Sequence, residues 1–262
     1  MAGEIERYLQ CHLGGVEEMI RGAGEACGVR AGRRLAKVYD GMLSFLLATV
    51  KAMGVKSKTW VPLSLAAVGS YGRGALSYNS DLDIRLLCEG DPRSAEPIAE
   101  ALLYPMWDAR LAVGHQVVDA DQVVELAHTD LPTATSILDW RTVAEDDGPA
   151  RKMLTRVFEG VFGVGNVAGF LERIDARAEE RHQRYGGSVY LLEPDVKNGP
   201  GGLRDFDVAF WAARARWRVP EFKDLVRAGL MVPRELRNIE SAVELLWRAL
   251  SHALREEGSF LK

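Results

Sequence analysis

Residues 68–87 read Val68-Gly69-Ser70-Tyr71-Gly72-Arg73-Gly74-Ala75-Leu76-Ser77-Tyr78-Asn79-Ser80-Asp81-Leu82-Asp83-Ile84-Arg85-Leu86-Leu87. Two carboxylates at i and i+2 on a strand project to the same side, because strand side chains alternate. Asp81 and Asp83 therefore share one face and Leu82, Ile84 and Leu86 the other. Paired ionised carboxylates repel unless a cation lies between them. A hard divalent ion such as Mg2+, held by one or two carboxylates and by substrate phosphates, meets that need. The glycines upstream let backbone N–H groups approach phosphate oxygens closely. An exposed turn leading into an edge strand with surface acids is the plainer alternative. The apolar residues that flank the acids favour a strand buried on one side.

Working outward, residues 63–68 (Leu-Ser-Leu-Ala-Ala-Val) predict a short buried strand before the turn, and 81–88 the next one. Asp91-Pro92 predicts an N-cap with proline at the first helical position, in a helix reaching about Arg110. Leu111 to Asp119 alternates as a third strand with Leu111, Val113, His115, Val117 and Asp119 on one side. Strand, helix and strand in this window describe a small α/β sheet with packed helices. Upstream, residues 4–52 are helical: Leu35, Val38, Met42, Phe45 and Leu46 recur at spacings of three and four. The glycines at 14, 15, 22, 24, 28 and 32 are expected to divide that region into two or three pieces. From about 121 the pattern turns helical with few strand signals. After a break at Gly186-Gly187 and an extended piece over 189–192, helices are expected over 203–218 and 232–256.

The fold class expected is α+β: a small sheet with packed helices, an N-terminal helical segment and a C-terminal helical domain. The expected divisions are residues 1–55, 56–125 and 126–262. The chain has 262 residues, 47% of them hydrophobic, enough for real cores, and a net charge of −4. That balance argues against a protein that wraps nucleic acid by charge alone. The three cysteines, Cys11, Cys27 and Cys88, are scattered and lack metal-site spacing, which fits reduced thiols in a cytoplasm. No basic region followed by an apolar core opens the chain, and no apolar run is long enough to span a bilayer, so neither a signal peptide nor a membrane partner is expected.

A second motif is Glu193-Pro194-Asp195-Val196-Lys197-Asn198-Gly199-Pro200-Gly201-Gly202-Leu203-Arg204-Asp205. Its glycine turn delivers the chain into a helix near Leu203, and a helix N-terminus with free N–H groups attracts anions. Lys197 and Arg204 bracket it. The loop is thus expected to bind nucleotide phosphate; the plainer alternative is a rigid turn whose charges pair with Asp195 and Asp205.

The first motif resembles the signature of the DNA polymerase beta-type nucleotidyltransferase superfamily: a Gly-Gly or Gly-Ser turn, a spacer, and Asp-x-Asp on the next strand. Together with the second motif, Arg181-His182-x-Arg184-Tyr185-Gly186, the segment 111–118 (Leu-Ala-Val-Gly-His-Gln-Val-Val) and Asp130-Leu131-x-x-Ala134-Thr135, it resembles the bacterial PII uridylyltransferase family from about residue 60 onward. The resemblance implies transfer of UMP from UTP to a tyrosine hydroxyl of a PII-like protein, with release of pyrophosphate. It assigns Asp81 and Asp83 to Mg2+, and Gly69 and Ser70 to the β- and γ-phosphates, with Arg73 adding charge compensation. A third carboxylate is expected in the superfamily. Asp119, on the third strand, is the candidate; Asp121 is read as a cap for the following helix, Asp108 as a surface acid and His115 as a structural histidine. An acceptor other than PII, or a nucleotide-sensing module without catalysis, are the alternatives, and the acidic balance counts against RNA. The sequence departs from the family at Asp195, where Asn is usual, and at Arg85, where an apolar residue is commoner. None of its five histidines precedes an aspartate. The family's His-Asp domain and its small regulatory domains are therefore not expected within this stretch of chain.

Overall fold

The computed structural model describes residues 1–21, 28–54, 62–77, 80–145, 149–185 and 195–256. The expected break at Gly186-Gly187, the extended piece over 189–192, Cys27, and Gly22 and Gly24 lie outside them. The chain divides into two compact units: residues 1–21 with 31–161, and residues 22–30 with 162–262.

The first unit is built on four strands: β1 (Leu63–Ala67), β2 (Leu82–Cys88), β3 (Val113–Val118) and β4 (Arg141–Glu145), in the order β3-β2-β1-β4. β1 runs antiparallel to β2 and to β4, and β2 runs parallel to β3. Parallel neighbours need a crossover, and helix α4 (Glu96–Asp108) supplies it. Before α4, Asp91 caps a 3-10 turn at Pro92–Ser94 by accepting from the Arg93 N–H.

One face of the sheet is the core. Leu63, Leu65 and Ala67 of β1 and Leu82, Ile84 and Leu86 of β2 pack with Leu35, Leu43 and Leu46 of α2 (Val29–Ala52) and with Ile98, Leu102 and Met106 of α4. α1 (Ala2–Arg21) adds Ile5 and Val16. Each such side chain contributes roughly 1.5–3 kcal/mol on full burial, so this face stabilises the unit. The opposite face is left for the polar positions Asp83 and Arg85.

Some expectations change. Gly14, Gly15 and Gly32 do not break helices; they lie inside α1 and α2. Gly32 serves close packing instead, since a Cβ there would come within 2.9 Å of the Leu76 carbonyl oxygen. Phe45 points outward, 62% exposed, while Leu43, Leu46, Leu47 and Val50 make the buried stripe. The sheet unit also continues well past residue 125. β4 pairs with β1, and α5 (Ala120–Thr129), α6 (Leu131–Leu138) and most of α7 (Pro149–Phe162) belong to the same unit. Local periodicity does not show a five-residue strand whose partner lies about 75 residues earlier; the Ala66↔Thr142 register settles it.

The second unit is helical: α8 (Val167–Tyr185), α9 (Leu203–Trp217), α10 (Phe222–Arg227) and α11 (Pro233–Glu256). Ala213, Val219 and Leu225 form a small buried cluster with Phe222 and Met231. Phe206 and Phe210 of α9 pack on Phe222 at centroid distances of 5.1 and 5.2 Å. Asp205 at the start of α9 accepts from Arg181 and, at 2.8 Å, lies against His182, both on α8. The α+β class read from the sequence is borne out. Among the described residues no helix is long and apolar enough to cross a membrane.

Candidate functional site

β1 ends at Ala67, and the chain turns immediately into α3 (Gly69–Gly72), a single helical turn entered through Gly69 at φ +60°. Because β1 and β2 are antiparallel, this turn stands beside the start of β2: the Val68 N–H donates to the Asp83 carbonyl at 3.0 Å. The glycine turn and the acid pair, separated by ten residues in sequence, are thereby neighbours in space.

The Asp83 carboxylate lies between two glycines. A Cβ on Gly69 would come within 3.2 Å of its Oδ2, and one on Gly114, its β3 partner in register, within 2.6 Å of Oδ1. Any side chain at Gly114 would displace the carboxylate. Asp83 is half-buried, and Asp81, just before the strand, is exposed. At the C-terminal end of α3 the carbonyls are taken up, whereas among the described residues no backbone carbonyl accepts from the N–H groups of Gly69, Ser70 or Tyr71 at its first turn.

Arg85 follows Asp83 on the same face, opposite Ala66 of β1. Burial lowers its guanidinium below the ordinary arginine value, and Asp83 and Asp130 pull it back up. Asp130 caps α6, accepting from the Thr133 N–H at 2.8 Å and its hydroxyl at 2.6 Å. The fold thus brings Asp130 toward the Asp83–Arg85 face, although the sequence offered it only as part of a resemblance.

Asp119 does not share that site. β2 and β3 are parallel with Asp83 opposite Gly114, and Asp119 lies five residues beyond Gly114, about 16 Å along the strand at roughly 3.3 Å per residue. Its carboxylate caps α5 instead, accepting from the Asp121 and Gln122 N–H groups at 2.7 and 2.9 Å. Asp119 also sits near Cys88, at the far end of β2. Burial first, and then that carboxylate, push the Cys88 thiol up to about 11. Asp121, expected to be the cap, pairs with Arg156 at the surface. His115 is opposite Ile84, on the face away from Asp83, with its ring edge-on to Trp107 at 5.6 Å.

Arg73 is not aimed outward as an unpaired cation; it pairs with Asp139, which is 1% exposed. Two residues that sequence reasoning missed complete the underside of the turn. Arg141 donates to the carbonyls of Tyr71 and Gly72 and to both oxygens of Asp40, and the Tyr71 hydroxyl also donates to Asp40. The partners of Arg141 lie 69 to 101 residues away in sequence, and Tyr71 lies 31 from Asp40, beyond any spacing rule.

The second motif is closed on itself. The Leu203 and Arg204 N–H groups donate to the Val196 and Lys197 carbonyls at 3.0 and 2.8 Å, and Asp205 N–H to Gly202. The expected anion site at that helix start is therefore filled by the loop's own backbone. Asp195 accepts from the Lys197 and Asn198 N–H groups at 2.9 and 2.8 Å and from the Asn198 side chain at 3.0 Å. Burial works to raise its carboxyl, but these bonds outweigh it and hold the carboxyl below its usual value. Arg204 pairs with Asp207 at 3.2 Å and covers the Trp211 ring, while Lys197 is exposed.

Among the described residues no three His, Cys, Asp or Glu side chains cluster as a complete metal site. Two hard carboxylates at the mouth of β2 nonetheless suit a hard cation that takes its remaining ligands from phosphates. The space that glycine leaves at 69 and 114 is consistent with such a ligand set.

A mixed sheet carrying an acid pair at the start of β2 beside a one-turn glycine helix is the architecture expected of the polymerase beta-type nucleotidyltransferase class. Comparison with known proteins is narrower. Residues 169–256 match the family model described as GlnD PII-uridylyltransferase. The chain is also 35% identical over 226 residues to a "Bifunctional uridylyltransferase/uridylyl-removing enzyme" of Bradyrhizobium sp. (strain BTAi1 / ATCC BAA-1182), covering 84% of this chain and 24% of that protein. Its counterparts in Rhodopseudomonas palustris (34% over 224 residues, 84% and 24% covered) and Nitrobacter hamburgensis (37% over 186 residues, 71% and 20% covered) agree. The chain is thus similar over these stretches to the GlnD PII-uridylyltransferases, and it spans about a quarter of the length of the curated relatives it matches.

Proposed function

We propose that this chain carries a nucleotidyltransferase site that moves UMP from UTP to a tyrosine hydroxyl on a PII-like protein. The observation that carries the proposal is the Asp83 carboxylate set between Gly69 and Gly114, with Asp81 two residues before it. The names of the relatives support uridylyl as the transferred group and PII as the acceptor. Nothing in the described residues selects uracil by itself.

In this reading Asp81 and Asp83 would hold Mg2+. Bound there, the ion would supply neutralisation of the triphosphate and of the departing pyrophosphate. The N–H groups of Gly69 and Ser70 receive β- and γ-phosphate oxygens, fixing the triphosphate relative to the acids. The acceptor hydroxyl attacks the α-phosphorus in line. The new O–P bond forms as the bond to the β-phosphate oxygen breaks, pyrophosphate leaves, and the hydroxyl proton passes to water. The contribution of the chain is orientation and charge placement. The cytoplasm, where UTP and reduced thiols coexist, is the compartment proposed.

One observation favours a second reading. Arg85 lies on the acid face beside Asp83, and a guanidinium there would compete with a cation, as a module that senses nucleotide without transferring it could tolerate. Pyrophosphate release measured with Mg2+, each of four nucleoside triphosphates, and PII separates the readings. UTP-selective, PII-dependent release supports the proposal. Release without PII points to another acceptor, and binding without release to the sensor.

A further inference from the structure

α3 is only four residues long. A single helical turn does not sustain itself, because nucleation fixes several dihedrals for one hydrogen bond. Its shape must be imposed from outside, and the anchors sit at its C-terminal end. Arg141, on β4, donates from Nε to the Gly72 carbonyl at 3.1 Å and from Nη2 to the Tyr71 carbonyl at 3.1 Å. The same guanidinium forks onto Asp40 of α2 at 2.8 and 3.0 Å. Asp40 also accepts from the Tyr71 hydroxyl at 2.8 Å, and the Arg141 guanidinium lies 5.3 Å from the centre of the Tyr71 ring. Tyr71 is fully buried. Burial and the neighbouring Asp40 raise its phenol, so its hydroxyl stays a donor. Gly72 is pressed so closely on the Asp139 backbone that a Cβ would come within 2.0 Å of its carbonyl oxygen.

We propose that Arg141 and Asp40 are positioning residues for the glycine turn: through the Tyr71 and Gly72 carbonyls they set where the Gly69–Ser70 segment stands relative to Asp83, and hence how tightly a metal–triphosphate is held. The inference rests on the nucleotidyltransferase reading above for its ligand, but not for the ordering of the turn. A planar five-donor fork can span two carbonyls and a carboxylate; a lysine ammonium cannot. Neither residue touches substrate in this scheme.

The test uses the full chain with the variants Arg141→Lys, Asp40→Asn, the double variant, and Ile98→Ala as a core truncation on α4, outside the Arg141–Asp40 network. The first readout is amide exchange at Gly72, Arg73, Gly74 and Ala75, whose N–H groups close the turn onto Val68, Gly69, Tyr71 and Ser70. The second is calorimetric binding of Mg2+–UTP at 10 °C, with melting temperature alongside. Arg141→Lys and Asp40→Asn should each speed exchange of those amides and weaken Mg2+–UTP at least about tenfold. The double variant should be no worse than the worse single one, because neighbours in one network are not additive. Ile98→Ala should lower the melting temperature and leave both readouts at the wild-type level. Wild-type exchange in Arg141→Lys overturns the inference, as does a loss that merely follows melting temperature across all variants. Faster exchange in a protein whose wild type binds no Mg2+–UTP upholds the ordering of the turn and removes the triphosphate reading instead.

Discussion

Two glycine-rich turns in this chain lead into helices, and both carry charged neighbours: 69–74 in the sheet unit and 195–205 in the helical unit. On paper they are equally good anion sites. In the structure they differ in where the backbone N–H groups go. In the second turn, Leu203, Arg204 and Asp205 donate to carbonyls of the same loop. In the first, the anchoring is done from behind, by Arg141 on the C-terminal carbonyls, and among the described residues no backbone carbonyl accepts from the N–H groups of Gly69 and Ser70. Glycine content gives a chain permission to approach an anion. Whether it does so depends on whether local carbonyls have already taken the donors.

The sharpest way to break this contrast is at the acids. Asp83→Asn or Asp81→Asn removes the charge that would hold a cation, and transfer should fall by at least about 10²–10³-fold, the scale of losing one preorganised charge-stabilising group. Both variants should keep the wild-type circular dichroism spectrum and melt cooperatively, since neither side chain is part of the core cluster. Normal turnover in either purified variant would dismiss the site.

Gly114→Ala comes next. Its new Cβ would stand 2.6 Å from Asp83 Oδ1, so the carboxylate must rotate away or the strands must part. Mg2+–UTP affinity should drop about tenfold or more, read by calorimetry, with no charge altered. Gly202→Ala in the other turn is the matched experiment. There a Cβ meets three carbonyl oxygens at 2.8, 2.9 and 3.0 Å, so the cost should appear as about 1–3 kcal/mol of stability, as in overpacking. Mg2+–UTP affinity should change less than about twofold. The reverse pattern, with Gly202→Ala losing nucleotide and Gly114→Ala keeping it, would exchange the roles given to the two turns.

The acid pair and its turn were legible because their signals are local. Strand alternation fixes the face of Asp81 and Asp83, and hydrophobic flanks fix the strand. The extent of the sheet unit was not, because β4 earns its place by pairing with β1 far upstream, and five residues of Arg-Thr-Val-Ala-Glu carry no periodicity of their own. Arg141 and Asp40 were hidden for the same reason: an arginine is informative only once the carbonyls it reaches are known. The closure of the second turn on itself was hidden for another reason. Lys197 and Arg204 flank a helix start in sequence, but sequence does not say that Val196 and Lys197 carbonyls fold back onto it.

Asp119 supplies the smallest expected effect. An aspartate between a strand and a helix can finish a metal site or cap the helix, and the two roles differ in sequence by nothing. The sheet register separates them: Asp119 stands at the Val118 end of β3, level with the end of β2, whereas Asp83 stands level with Gly114. Its carboxylate already accepts from two backbone N–H groups of α5. Asp119→Asn keeps a good N-cap and should change stability by only a few tenths of a kcal/mol, while Asp119→Ala should cost about 1 kcal/mol. Both should leave pyrophosphate release within about twofold of wild type. A loss approaching that of Asp83→Asn would mean that the two ends of β3 act on one substrate, and the separation of cap from site drawn from the register would have to be given up.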